Sequence, residues 1–282
     1  MATIHFHKEN KLVWLELIMR AKSHIPQSEG VLLDFSGLIE ADIEPIHLVS
    51  LACLIEHLVN NGSIVRLQRG NDVGEFLWKK LRFKEYWAGR SNYAVATTDT
   101  MLNLWRVVDT EKEVYAFRVH DYLKNRFFKS KDLSAVKNSL DEVFYNIFDH
   151  AEANNNAFSF IQFDKETEKV RIAVCDFGMG IARSVQKAMP QLTDKEALEK
   201  AMEYQFTTKT QGHNKGVGLC NIRETCTEDD YMFIISNRAL LMMNKTSQRS
   251  IDLPFCFDGT IIAYEVTLSH FEDEEIIENF TL

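Results

Sequence analysis

Proline and glycine are scarce in this 282-residue chain, four and twelve of them, and no low-complexity tract interrupts it. That excludes a collagen-like or linker-like role and leaves a folded globular protein. No apolar run is long enough to span a bilayer, and the opening MATIHFHKENKLVWLELIMRAK puts polar and charged residues where a signal peptide needs an apolar stretch. The expected location is the cytoplasm, with no membrane partner. The five cysteines (Cys53, Cys175, Cys220, Cys226, Cys256) are odd in number and lack CxxC spacing. Neither a zinc site nor a disulfide framework is supported, and most read as small buried apolar residues in a reducing compartment. Positive charge is in deficit too: 32 Lys and Arg against 41 Asp and Glu give −9. That balance argues against a broad electrostatic grip on nucleic acid. One basic cluster, Lys124, Arg126, Lys129, Lys131 and Lys137, reads as a solvated face flanking a helix.

The length suits two ordinary domains or one large one. Residues 11–22 have a helical apolar pattern, and VLLDF at 31–35 reads as a short buried strand. An amphipathic helix is expected over 45–59, ended by Asn60-Asn61-Gly62, since Asn and Gly accept the left-handed conformation of a helix end. SIVRL at 63–67 is the next strand, and Asp72 is expected to cap a short helix through Leu81. Alternating strands and helices imply a parallel sheet. This block resembles a STAS domain, the fold of bacterial anti-sigma-factor antagonists, over roughly residues 28–87. The likeness rests on VLLDFSGLIEAD, the helix after it, and SIVRL after NNG. It departs from the family where a phosphorylatable serine is expected after Asp42, because Ile43 and Glu44 follow instead. A packing or dimerisation module and a partner-switching module both remain open.

Residues 88–113 show few helix signals, with one strand candidate at 101–107, and the domain boundary is placed near Asn92. Beyond it the pattern predicts a helix over 133–151, strands at 157–163 and 169–176, and a helical stretch over 181–204. A glycine loop with a helix start near Gly218 follows, then strands at 231–236 and 260–268 and a solvated acidic end.

Three motifs carry chemistry. On the helix SLDEVFYNIFDHA, Leu140, Val143, Phe144, Ile147 and Ala151 form an apolar stripe, leaving Glu142, Asn146, Asp149 and His150 on the other side. That side reads as solvated unless the spacing is used: a carboxylate, then a carboxamide one turn later. Mg²⁺ takes oxygen ligands and keeps several waters, so an Asn oxygen plus phosphate oxygens suits it. A carboxylate one turn away can polarise a water or accept a proton. Second, Asp176-Phe177-Gly178-Met179-Gly180 follows an apolar strand, where Asp can accept from an exocyclic amine such as that of adenine. The same residues are also common in ordinary turns. Third, Phe206-Thr207-Thr208-Lys209, Gly212 and Lys215-Gly216-Val217-Gly218-Leu219 lead into a helix. Its backbone N–H groups, with Lys209 and Lys215, suit phosphates. A surface loop with a helix cap is the plain alternative.

In this order, ExxxN on a helix, DxGxG after a strand and a GxG loop before a helix, the chain resembles the Bergerat-fold (GHKL, histidine kinase-like) ATPases over about 114–270. FTTK ahead of the glycines and Asp258-Gly259-Thr260 entering a late strand belong to the likeness. It implies a two-domain α/β architecture: a STAS-like domain over 1–91 and a Bergerat-fold α/β sandwich over 92–282. It implies ATP and Mg²⁺ as cofactors, Glu142 as catalytic base and Asn146 as Mg²⁺ ligand. Asp176 would bind adenine, Gly178 and Gly180 shape its pocket, and Thr260 lie near the adenine end. Gly212, Gly216 and Gly218 would hold lid and phosphates. Asp149, His150, Thr208, Lys209, Lys215, Val217 and Leu219 complete the implied nucleotide-binding set.

No GxGxxG between a first strand and helix and no Walker A loop is present, so a Rossmann dehydrogenase and a P-loop ATPase are set aside. His120, in FRVHDYL, lacks the heptad surroundings of a histidine-kinase phosphoacceptor. Two readings stay open. One is an ATP hydrolase or serine/threonine kinase in a bacterial partner-switching type pathway, resembling the anti-sigma serine kinases. The other is a non-catalytic switch whose ATP occupancy sets affinity for a protein partner or a second copy.

Overall fold

A computed structural model of the chain describes all residues except 9, 69, 88–98, 151–156, 204–222, 224 and 275–282, and the side chains of 149 and 150. It is mixed α/β, with one parallel and one antiparallel sheet. Among the described residues no helix is long and apolar enough to cross a membrane.

The first sheet has the order β1 (Ala2–His5), β2 (Val31–Asp34), β3 (Val65–Leu67), all parallel. Parallel neighbours need crossovers, and α1 (Lys11–His24) and α2 (Pro45–Asn60) supply them. Asn10 caps α1 by accepting from Val13 N at 3.0 Å. Pro45 opens α2, where a missing N–H costs nothing. Gly62 follows its end at φ +80°, with Ser28 Oγ only 3.0 Å from where a Cβ would stand. The expected cap on the next helix is corrected. Asn71 Oδ1, not Asp72, accepts from Gly74 N at 2.5 Å, starting α3 (Asp72–Glu75). Asp72 instead accepts from the Glu40 amide at 2.6 Å. Lys79 and Lys80 lie in a wider helical turn after α3, and α4 (Phe83–Trp87) ends this block.

The second sheet is antiparallel, in the order β4 (Met101–Val107), β5 (Ala157–Asp164), β6 (Lys169–Asp176), β8 (Gln248–Thr267), β7 (Tyr231–Met243). Alternation divides its side chains between two layers. Ile172, Val174, Ile262 and Tyr264 join a core with α5 (Lys112–Arg126), α6 (Ser134–His150), α7 (Ile181–Ala188) and α8 (Asp194–Ala201). Ala173, Cys175, Ile261 and Ala263 face the other way, into a core shared with α1, α2 and the parallel sheet. Helix α2 lies across β5 and β6 on that side. Twelve of its sixteen residues are buried, as a helix covered on several sides requires.

Three further expectations change. Helix α5 was not expected; its buried stripe is only Tyr115, Ala116, Val119 and Leu123. The single helix over 181–204 is two, parted at Met189-Pro190, because proline cannot donate inside a helix. Strands β7 and β8 run well past the expected 231–236 and 260–268 and close a long hairpin at 244–247. The boundary near Asn92 and the helix start near Gly218 lie outside the described residues.

Candidate functional site

Asp176 ends β6 directly opposite Thr260 on β8 and Ala157 on β5. Its side chain shares a face with Val174 and Ile172, toward the helical layer, and so does that of Thr260 with Ile262. Cross-strand neighbours on one face have Cβ atoms about 5 Å apart. Both residues are fully buried. Asp176 Oδ1 accepts from Gly178 N at 2.6 Å. Among the described residues, neither Asp176 Oδ2 nor Thr260 Oγ1 has a hydrogen-bond partner. Burial pushes the Asp176 carboxyl up to about 7, against the smaller opposing pull of the Gly178 and Thr260 backbone hydrogen bonds.

Leaving a buried polar atom unsatisfied costs about 1–3 kcal/mol, more for a charged group. The other buried acid groups of this sheet avoid that. At the far end of β6 and β8, Glu265 accepts from Lys169 at 2.9 Å and Arg171 at 2.6 Å, and Asp230 accepts from Thr267 at 2.7 Å. Those charges satisfy one another and need nothing further. Asp176 and Thr260 together hold a buried acceptor and a buried hydroxyl on the helical side of the sheet.

Backbone shape holds this pair in place. Gly180, at φ +90°, caps α7; a Cβ there would lie 2.6 Å from Asn237 Oδ1, 2.7 Å from Ser236 Oγ and 2.8 Å from Gly259 O. Gly259, at φ +129°, is tighter still: its Cβ would fall 2.1 Å from Asp176 O. Both glycines therefore allow backbones to approach where a side chain cannot. Ser236 Oγ accepts from Ala182 N at 3.2 Å and Asn237 Oδ1 from Arg183 N at 3.1 Å, satisfying amides at the start of α7. Asn237 Nδ2 donates to Met179 O at 3.0 Å. Neither Ser236 nor Asn237 stands out in the sequence as a site residue. Asn237 has φ +54°, a conformation that Asn tolerates better than most residues, and that preference was the available signal.

Helix α6 packs beside α7. Its Leu140, Val143, Phe144 and Ile147 are buried, while Glu142 and Asn146 are half-buried on the other side, as their spacing predicts. Asn146 Nδ2 donates to Glu142 O at 2.8 Å and meets Glu142 Oε1 at 3.5 Å. The amide nitrogen is thereby engaged inside the helix, and the Asn146 oxygen keeps its lone pairs, the chemistry a hard cation uses. The side chains of Asp149 and His150, and all of Thr208, Lys209, Gly212, Lys215, Gly216, Val217, Gly218 and Leu219, lie outside the described residues.

The turn carrying Asp176 is also gripped from the N-terminal side. Lys22 Nζ lies 5.1 Å from the centre of the Phe177 ring, and His57 meets that ring edge-on at 6.4 Å. Cys53 Sγ donates to Cys175 O at 3.4 Å, one residue before Asp176. A comparison with protein-family models gives no match, and a comparison with curated proteins gives none either.

Proposed function

We propose that this chain binds Mg-ATP in the manner of the Bergerat-fold ATPases, with adenine against Asp176 and Thr260 and phosphates toward α6. One observation carries the reading: a fully buried carboxylate oxygen and a fully buried hydroxyl at paired positions of β6 and β8, each without a hydrogen-bond partner among the described residues. An exocyclic amine is a donor that suits Asp176 Oδ2, and the Thr260 hydroxyl can donate to or accept from the ring edge or a bridging water. The residues therefore fit the base.

Mg²⁺ fits as well, with the Asn146 oxygen as its protein ligand and phosphate oxygens and water completing the shell. The metal would supply charge neutralisation on the phosphates. Glu142, one turn before Asn146, would take a proton from the attacking water or hydroxyl. That role favours an ATP hydrolase or serine/threonine kinase. The grip of Lys22 and His57 on Phe177 favours a second reading, a switch in which occupancy alters the N-terminal surface for a protein partner or second copy.

Within this proposal, residues 1–91 form a STAS-like module without chemistry of its own and 92–282 the nucleotide module. They are two functional units built on one continuous apolar core.

Titration of the full chain with ATP and GTP, with and without Mg²⁺, tests the binding claim. ATP should bind more tightly than GTP, and Asn146→Ala should abolish the Mg²⁺ dependence. Equal affinity for the two nucleotides sinks the Asp176 assignment. Comparing ATP consumption by wild type and Glu142→Ala separates the two activities: loss of turnover in the variant supports the enzyme, and no turnover in either supports the switch.

A further inference from the structure

A cavity of about 1,030 Å³ lies between the N-terminal block and β7, across the sheet from the Asp176 face. Phe233, Ile235, Leu240 and Met242 of β7 form one side of it, and Leu12 and Trp14 of α1 another. Pockets for organic ligands run to roughly 300–1,000 Å³ and are mostly apolar with a few placed polar groups.

Charge at this cavity is largely cancelled. Lys8 pairs with Asp42 at 2.8 Å and Lys11 with Glu44 at 2.7 Å. Asp230 is buried and bonded to Thr267, and Arg249 is exposed on the β7–β8 hairpin. Among the described residues an ionic ligand therefore has no unpaired buried countercharge to meet. Trp14 Nε1 is already engaged with Ser50 Oγ at 3.1 Å. His47 differs. It is 6% exposed, lines the cavity and packs against Trp14 with ring centres 4.8 Å apart. Its Nδ1 accepts the Glu44 amide at 3.0 Å. Burial pushes its pKa down to about 4, so the ring is neutral and its proton resides on Nε2. That Nε2–H has no acceptor among the described residues.

We propose that this cavity binds an uncharged, mainly apolar organic molecule that presents one hydrogen-bond acceptor, such as a carbonyl oxygen, to His47 Nε2. The ligand's body lies on the apolar face of β7, and the Lys8–Asp42 and Lys11–Glu44 pairs stand at its margin. This site is independent of the nucleotide reading and survives its failure.

Two uncharged fluorescent dyes test it on the full chain: Nile red, which carries a ring carbonyl, and N-phenyl-1-naphthylamine, which has none. Both should bind saturably and compete for one site. Met242→Trp, which fills the cavity from a half-buried position, should weaken both by roughly tenfold or more. Leu12→Trp blocks the same space should that variant fail to fold. His47→Phe keeps an aromatic ring and removes both the Nε2 donor and the Nδ1 acceptor of the Glu44 amide. Loosening the start of α2 would act on both dyes alike, so Nile red should weaken by about threefold to tenfold more than the naphthylamine. Absence of saturable binding, or binding indifferent to both tryptophans, overturns the site. Equal weakening of the two dyes by His47→Phe overturns the hydrogen-bond assignment.

Discussion

Lys22 on α1 donates to Asp258 at 3.1 Å, one residue before the glycine whose backbone presses on Asp176. Burial pushes the Asp258 carboxyl up, but the charge and hydrogen bond of Lys22, joined by the Arg183 charge and a Cys256 hydrogen bond, together outweigh it, and the pKa falls below the usual range. The same ammonium covers the Phe177 ring. One side chain of α1 thus holds both Asp258 within β8 and Phe177 just past the end of β6. Lys22→Met should destabilise the chain by about 1 kcal/mol, a modest figure because Asp258 is 39% exposed and partly screened. ATP affinity should fall about fivefold, a coupling of roughly 1 kcal/mol, and Lys22→Arg should restore most of it. Thermal melts and nucleotide titrations of the three proteins decide the matter.

Asp176 links stability to pH in an unusual direction. Its folded-state pKa is raised to about 7 by burial, above its unfolded value. The folded state therefore holds a proton that the unfolded state has lost, and stability falls as pH rises from about 4 to about 7. The full effect is on the order of 4 kcal/mol. Asp176→Asn keeps the shape and the acceptor for Gly178 N, so the apo variant should melt higher than wild type at pH 8 and lose this pH dependence. Its ATP affinity should collapse. Binding by wild type should in turn weaken below about pH 7, as protonation removes the acceptor. A variant no more stable than wild type at pH 8 contradicts an ionised, unpaired carboxylate.

Gly259 and Gly180 should be intolerant for different reasons. Alanine at 259 meets backbone at 2.1 Å and cannot be accommodated without separating β8 from the 176–177 turn. Loss of more than about 3 kcal/mol is expected, visible as a large drop in the denaturation midpoint. Alanine at 180 meets the Ser236 and Asn237 side-chain oxygens first. Combining Gly180→Ala with Ser236→Ala should recover part of the loss in the same measurement, which no partner substitution can do for Gly259→Ala.

Much of this fold was legible because burial and period agree. Helices α1, α2 and α6 and strands β2, β5 and β6 lie within a residue or two of their expected positions, each having a strong apolar pattern. Where pattern was weak, tertiary context decided. Strand β1 has four residues, paired among the described residues by β2 alone. Helix α5 has a narrow stripe with Arg118, His120 and Asp121 among its residues. Strand β8 contains Pro254, which argues against a strand interior; it falls in the stretch between Asp252 and Phe257 where the β7 register shifts, so no regular ladder bond is lost. Asp176 was marked by its place after an apolar strand, whereas its unpartnered oxygen depends on Thr260, 84 positions on (260 minus 176), which no local pattern encodes. The cavity at His47 was equally invisible, being assembled from α1, the loop before α2, and β7.

Residues 99–282 produced alone should not fold as an independent unit. Their sheet has two apolar faces, and among the described residues α5 to α8 cover one of them. The other carries Phe158, Phe160, Cys175, Ile235, Phe257 and Ile261, all at most 1% exposed in the full chain because α1, α2 and the loops around them lie on top. Burying one large apolar side chain is worth about 1.5–3 kcal/mol. Uncovering the five largest of that set forfeits roughly 7–15 kcal/mol, as much as a typical domain's whole stability. The fragment should therefore show no cooperative melt, bind apolar dyes across its surface and self-associate in size-exclusion chromatography. Adding residues 1–87 in trans should restore a cooperative transition, since the missing contacts are packing rather than chain connection. A fragment that melts cooperatively as a monomer would mean that the sheet closes its own second face. Lys22 and His57 would then touch Phe177 as a docked partner does, and the two modules would be separable in folding as well as in function.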